Sequence, residues 1–170
     1  HTLMDGDVAR RLEPSLSSRI RAALLLPQHG YVRAAQITSA LAVAAGHHGA
    51  TTTTAVVQHL EPRDGAVVVT TSAGAIESDA VILAAGSWTS GVAHPLVTPP
   101  PIRPVRGQLL HLRFTQRPLS RVVWGSDCSL VPWRDGAVLV GATVEEAGFD
   151  ESATAAGVTH LLKRSAEILT

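Results

Sequence analysis

Side chains able to do acid–base, metal or nucleophilic chemistry occur throughout this sequence, but their spacing assembles few of them. Eight histidines are scattered along 170 residues, and only His47 and His48 adjoin. Consecutive helical positions point about 100° apart, so this pair cannot share a metal without another ligand. The histidines read as solvated or half-buried residues, and no metal site is expected. Glu145 and Glu146 resemble paired carboxylates. Neighbours on a strand point to opposite faces, however, and cannot flank one substrate bond as acid and base. No serine stands in a Gly-x-Ser-x-Gly elbow, so hydrolase chemistry has no anchor. The single cysteine, Cys128, lacks an identifiable basic partner and reads as a small core residue. No residue is therefore assigned a catalytic role.

Two segments have the composition of ligand contacts instead. Val81-Ile82-Leu83-Ala84-Ala85-Gly86-Ser87-Trp88 is a short apolar run ending in small residues. Such a run suits a strand buried on both faces, and Ala84, Ala85 and Gly86 would let a backbone or a flat ligand approach its end. Arg103 and Arg106 flank Pro104-Val105 and lead into Gly107-Gln108. Glycine there allows close backbone approach, and glutamine offers both a donor and an acceptor. A ligand-facing crossing between domains and a solvated arginine strand both remain open for this segment. The fourteen glycines include no Gly-x-Gly, so the dinucleotide fingerprint and the phosphate loop are absent. The pyrophosphate of any bound dinucleotide would have to be held largely by residues outside this sequence. Trp88, Trp124 and Trp133 are expected in the core rather than on a stacking surface.

The elements that must position these residues follow from periodicity. Asp7 to Leu12 predicts a short helix stopped by Pro14, and Leu24 to Leu26 a short strand. Ile37, Ala40, Leu41, Ala44, Ala45 and His48 share one helical face, predicting a helix from about Ala34 to His48 that stops at Gly49. Val56 to Leu60, the Asp64-Gly65 turn, Ala66 to Thr71 and Ile76 predict a meander feeding the buried run. Three prolines, Pro99 to Pro101, make a stiff connector and a boundary over Val97 to Pro101. Beyond it, Val105 to Phe114 alternates as a strand with Leu110, Leu112 and Phe114 on one side. Arg121 to Trp124 and a hairpin across Asp135-Gly136 complete an antiparallel sheet, with Pro132 predicting an edge or a bulge. Val158, Leu161, Leu162, Ser165 and Leu169 place a final helix, capped by Ser152 or Thr154.

Fourteen basic and fourteen acidic residues cancel, which gives no field for nucleic acid or an anionic membrane. No run approaches the roughly 20 apolar residues of a membrane span, and His1 to Arg11 lack a signal peptide's apolar core. With one cysteine, a cytoplasmic location is expected. The sequence starts at His1 and ends within a predicted helix, so a piece of a longer protein is expected.

In this order the motifs VILAAGSW (Val81 to Trp88), PIRPVRGQ (Pro101 to Gln108), RVVWG (Arg121 to Gly125), Cys128 with LVP (Leu130 to Pro132) and DGAVLVGATVEEAGFD (Asp135 to Asp150) resemble the D-amino-acid oxidase superfamily of flavoproteins, especially the glycine oxidases of thiamine biosynthesis. Weaker matches are LEPSL (Leu12 to Leu16) and the helix after Gly30-Tyr31-Val32. The resemblance implies an α/β (α+β) fold: part of a doubly wound FAD-binding domain over 28–98, with 1–27 and 99–170 belonging to an antiparallel-sheet substrate domain that roofs the flavin. It implies FAD as cofactor, a small amino acid or amine and dioxygen as partners, hydride transfer from the substrate Cα to the flavin, and hydrogen peroxide as product. The flavin carries the electron chemistry, so no protein base is required. By position, Val56, Ala84, Ala85, Gly86 and Trp88 resemble cofactor contacts, and Arg106, Gln108 and Ser129 substrate contacts.

The position after Cys128 is usually tyrosine in the glycine oxidases, and here it is Ser129, whose shorter hydroxyl needs a water or a larger substrate. The family's glycine-rich turn would lie before His1 and its carboxylate-clamping arginine after Thr170, so this stretch alone is expected to be inactive. A degenerate noncatalytic module and a sarcosine oxidase-like or glycerophosphate dehydrogenase-like relative fit the same motifs. Association into a homo-oligomer is left open.

Overall fold

The computed structural model describes residues 1–92, 101–116 and 118–170. In chain order the elements are β1 (Thr2–Asp5), α1 (Gly6–Leu12), β2 (Ala22–Leu25), α2 (Ala34–His47), β3 (Val57–Arg63), β4 (Ala66–Thr71), β5 (Gly74–Ser78), a 3-10 turn (Gly86–Gly91), β6 (Leu109–Arg113), β7 (Val123–Trp124), β8 (Ser129–Pro132), β9 (Ala137–Gly141) and α3 (Ala155–Ile168). The class is mixed helix and antiparallel sheet, and every strand ladder among the described residues is antiparallel. The chain divides into two compact units, residues 1–33 with 105–170 and residues 34–104.

The first unit holds the main core. Its four strands run in the order β6-β9-β8-β7. Opposed residues share a face, so Leu110, Leu112, Val123, Leu130, Pro132, Val138 and Val140 point one way. There Leu130, Val138 and Val140 pack with Leu161 and Ile168 of α3 and with Ala9, Leu16, Leu119 and Cys128. Cys128 is a core residue, as expected. Thr154 caps α3 by accepting from the Gly157 N–H (3.1 Å), one of the two caps anticipated. The helix buries Gly157, Leu161, Ser165 and Ile168, whereas Leu162, expected on that stripe, is exposed. Asp5 caps α1 by accepting from the Val8 N–H (2.8 Å). Gly6 has no room for a side chain, because a Cβ would collide with the Ile20 carbonyl oxygen.

Pro132 departs from the expected edge strand. β8 lies inside the sheet, but the two-residue β7 reaches only Ser129 and Leu130, so no strand there needs the amide hydrogen that proline lacks. On that same side, beyond the end of β7, the carbonyl of Pro132 accepts from the Tyr31 hydroxyl (2.6 Å). Tyr31 meets Trp133 edge-on at 5.3 Å.

The second unit contains the meander β3-β4-β5. Asp64 (φ 43°) and Gly65 (φ 89°) form its first turn in the left-handed region, the geometry that matches hairpin twist. Pro62 is tolerated because β3 is an edge strand. Two expectations fail here. Residues 80–85 are not a buried strand: no strand among the described residues pairs with them, and Ile82 is 92% exposed. A short apolar run forms a strand only when neighbouring strands supply its ladder. The apolar face of α2 is likewise bare, with Ile37 and Leu41 exposed. The expected boundary over Val97 to Pro101 falls largely on residues 93–100, outside the described residues. No helix among the described residues is long and apolar enough to cross a membrane.

Candidate functional site

The opposite face of the four-stranded sheet carries no packed layer from this unit's core. Register places Leu109, His111, Ser129, Val131, Leu139 and Gly141 on it together with Trp124. A cavity of ≈ 880 Å³ opens over this face, lined among others by Leu109, Trp124, Ser129, Val131, Leu139 and Gly141 and closed at one end by Ala156, Gly157 and His160 of α3. Trp124 is 76% exposed at its rim, a correction to the core position expected of it. With Val123 committed to the core face, strand alternation sends Trp124 the other way. Ser129 is half-buried in the wall, and its hydroxyl donates to the Gly141 carbonyl (3.1 Å).

Glu145, also on the cavity wall, is the centre of a polar cluster. Its Oε1 accepts from the Thr143 hydroxyl (2.5 Å) and from Nε2 of Gln108 (2.6 Å). Its Oε2 accepts from Nε and Nη2 of Arg106 (3.1 and 2.7 Å). These bonds, the Thr143 hydroxyl foremost, pull the Glu145 carboxyl down to about 2, since each favours the charged form. Arg106 also pairs with Asp150 (2.8 Å) and donates to the Ser152 carbonyl (3.1 Å). Its guanidinium is raised, chiefly by the hydrogen bond to Glu145. Gln108 is buried; its amide donates to Thr154 Oγ1 (2.9 Å) and accepts from the Thr154 N–H (2.7 Å). Arg106 and Gln108 therefore meet around Glu145, and behind the Ser129 wall they tie the sheet to the start of α3. Sequence reasoning missed Glu145 and Thr143 as partners of Arg106. The available signal was register: continuing the Leu109–Gly141 pairing backward brings Arg106 beside the segment around Glu145, with which it forms an isolated bridge.

The remaining ionisable lining is Asp127, Cys128 and His160. Asp127 pairs with Nε of Arg164 (3.3 Å), and burial pushes the Cys128 thiol upward. No lysine or arginine lines the cavity. Its lining is largely apolar, with a saturated carboxylate at one side and His160 of α3 also in the wall. Among the described residues no group of three or more His, Cys, Asp or Glu is placed to hold a metal.

In the second unit, Ala84 and Ala85 precede Gly86, whose φ of +53° needs glycine and beside which a Cβ would meet nothing within 4 Å. Trp88 follows in the 3-10 turn, 65% exposed and not in the core as expected. Val56 is exposed, and its backbone exchanges bonds with Ser72: its N–H donates to the hydroxyl (3.0 Å) and its carbonyl accepts from the Ser72 N–H (2.9 Å). Small, open residues next to an exposed aromatic suit a flat cofactor ring. No glycine-rich pyrophosphate cradle accompanies them within residues 1–170.

Comparison with known proteins bears on this geometry. The family model described as FAD dependent oxidoreductase (DAO) matches residues 1–170. The bifunctional protein ThiO/ThiG of Synechocystis is 34% identical over 95% of this chain and 25% of its own length. The glycine oxidase of Pseudomonas aeruginosa is 37% identical over 65% of this chain and 30% of its own. The crystal structure of glycine oxidase from Geobacillus kaustophilus superposes with a TM-score of 0.87 at 26% identity, covering 99% of this chain and 46% of that one. Iminodiacetate oxidase from Chelativorans follows at a TM-score of 0.78 and 26% identity, over 99% of this chain and 47% of its own. The chain thus spans between a quarter and a half of the length of these relatives.

Proposed function

The chain belongs to the FAD dependent oxidoreductase family, and on that premise we propose that it is the central part of an FAD-dependent amino-acid oxidase acting on glycine or another small primary or secondary amine. The observation that carries the reading is the likeness to a glycine oxidase structure over 99% of this chain. Bound FAD would supply the acceptor for the substrate Cα hydride and the route of the electrons to dioxygen, with hydrogen peroxide as the product.

This chain's own residues would orient and enclose. Ala84, Ala85, Gly86 and Trp88 would lie against the cofactor, with the strand at Val56 near its adenine end. The open sheet face would cover the reacting pair, with Ser129 in the wall nearest the amine. Arg106 and Gln108 would act through Glu145 and Thr143 as positioning residues, keeping the cavity wall fixed. Excluding water and holding the donor carbon in line is the protein's contribution, since the electron chemistry resides in the cofactor. The names of the ThiO/ThiG relatives support a place in thiamine biosynthesis.

Peroxide release from glycine, sarcosine and D-alanine, compared between residues 1–170 and a parent-length polypeptide with added FAD, tests this reading. The longer protein should produce peroxide and the shorter should not. Robust turnover by residues 1–170 alone would refute the need for the remaining sequence, and a parent-length protein that stays colourless with FAD would refute the flavoenzyme reading.

A further inference from the structure

Trp133 follows Pro132 at the end of β8, and its N–H continues the ladder to the Ala137 carbonyl (2.8 Å). Since Pro132 faces the core, strand alternation turns Trp133 toward the open face, in one row with Ser129 and Val131. The segment leading out of β2 meets it there. Tyr31 lies edge-on to the ring at 5.3 Å while its hydroxyl donates to the Pro132 carbonyl (2.6 Å). Arg33 lays its guanidinium over the ring face, 4.0 Å from the centroid, an attraction that needs no acidic partner. The indole Nε1 is buried without an acceptor among the described residues, so Tyr31 and Arg33 supply the ring's directional contacts. The dependence is mutual. Among the described residues no backbone hydrogen bond ties Gly30, Tyr31 or Val32 to the rest of the unit, so side chains hold this exposed stretch where a ladder does not. Tyr31, Arg33 and Trp133 all belong to the first unit, and the chain leaves that unit directly after Arg33.

Resting on the oxidase reading, the geometry points to Tyr31 and Arg33 as positioning residues that strap the Trp133 end of the sheet face covering the reacting pair. Neither residue supplies a group to the chemistry. Their effect passes through the Trp133 ring to Val131, the preceding side chain of the same row. A segment held by a few side-chain contacts opens more readily than the ladder beneath it, so loosening the strap frees that end of the face while the sheet stays intact.

The test uses the parent-length protein with FAD. Trypsin cutting after Arg33, timed by mass spectrometry, reads the strap without reference to turnover. Trp133→Leu, which removes the ring, should speed that cut by about tenfold, and Tyr31→Phe, which keeps a ring edge but loses the hydroxyl, by about fivefold. Turnover is then measured on whichever of glycine, sarcosine and D-alanine is used best. Arg33→Gln and Trp133→Leu should each raise KM by about fivefold with kcat held within about twofold, the split expected when binding geometry rather than the chemical step is disturbed. Because both act through one contact, Arg33→Gln should add nothing further in the Trp133→Leu background. Circular dichroism reports whether each variant is folded, and the exposed-side changes Tyr31→Phe and Arg33→Gln decide the matter if Trp133→Leu is not. A cut unmoved in the folded variants, additive effects on KM, or a loss confined to kcat overturns the inference and leaves the oxidase reading standing. A native protein that releases no peroxide from any of the three amines overturns the oxidase reading and the positioning role together, with the cut rates still deciding whether the strap exists.

Discussion

Replacing Gly157 by alanine sets helix propensity against packing, and the structure decides the sign. In the first turn of a helix, alanine is worth ~1 kcal/mol over glycine, so propensity alone predicts stabilisation. A Cβ on Gly157, however, would lie 2.6 and 2.7 Å from Cδ and Oε1 of Gln108 and closer still to Nε2. The amide cannot swing aside freely, because it donates to Glu145 (2.6 Å) and Thr154 (2.9 Å) and accepts from the Thr154 N–H (2.7 Å). At a net value of ~1 kcal/mol per bond, displacing it costs ~3 kcal/mol. The balance is a loss of ~2 kcal/mol. With a urea m-value of ~1–3 kcal/mol/M, the unfolding midpoint should fall by roughly 1 M. In a Gln108→Ala background the obstacle is gone, and the same Gly157→Ala change should raise stability by ~0.5–1 kcal/mol. Urea unfolding followed by circular dichroism for the four proteins of this cycle checks it. A stabilising Gly157→Ala in the native background, or the same sign in both backgrounds, would refute the reasoning.

Other expectations follow from the same cluster and from the core. The Glu145 carboxyl sits at about 2 in the folded chain, below its ordinary 4.5; its stabilising contribution is therefore complete above the unfolded value and is lost as pH falls from about 4.5 toward 2. A carbon-13 titration of Glu145 should show that low midpoint, and a midpoint near 4.5 would contradict it. Burial, then Asp127 and Glu167, raise the Cys128 thiol, so a thiol reagent should react slowly with native protein and rapidly in urea; equal rates would count against a core position. Leu130 is fully buried, and Leu130→Ala should cost ~2–5 kcal/mol in thermal unfolding, with a loss under ~1 kcal/mol contradicting the assigned core.

What the sequence made legible was local. Asp64-Gly65 and the Thr154 cap each depend on chemistry within a few residues and stand where their patterns put them, and the alternation over Val105 to Phe114 forms a strand over its Leu109 to Arg113 part. Val81 to Ala85 reads as a buried strand because its composition is that of one, yet a strand is a property of its neighbours, and no described strand pairs with it. Trp88 and Trp124 were misplaced for a related reason: residue type reports average burial, whereas register and the missing packed layer decide the individual case. The cluster around Glu145 joins residues 37 and 39 positions apart. Weighing Glu145 only against its neighbour Glu146, a pairing that strand geometry rejects, left its partners across the sheet unnoticed. The Ser129 cavity was out of reach of the sequence, because its volume depends on which sheet face stays uncovered.

The central claim is that this chain lines an amine-oxidising flavin site, and anaerobic reduction of the flavin tests it most directly. The parent-length protein should purify yellow or become so with FAD, lose its visible flavin absorbance when an amine substrate is added without oxygen, and regain it with release of peroxide when air is admitted. A flavin-bound protein whose spectrum no amine alters, whether glycine, sarcosine or D-alanine, would contradict the account.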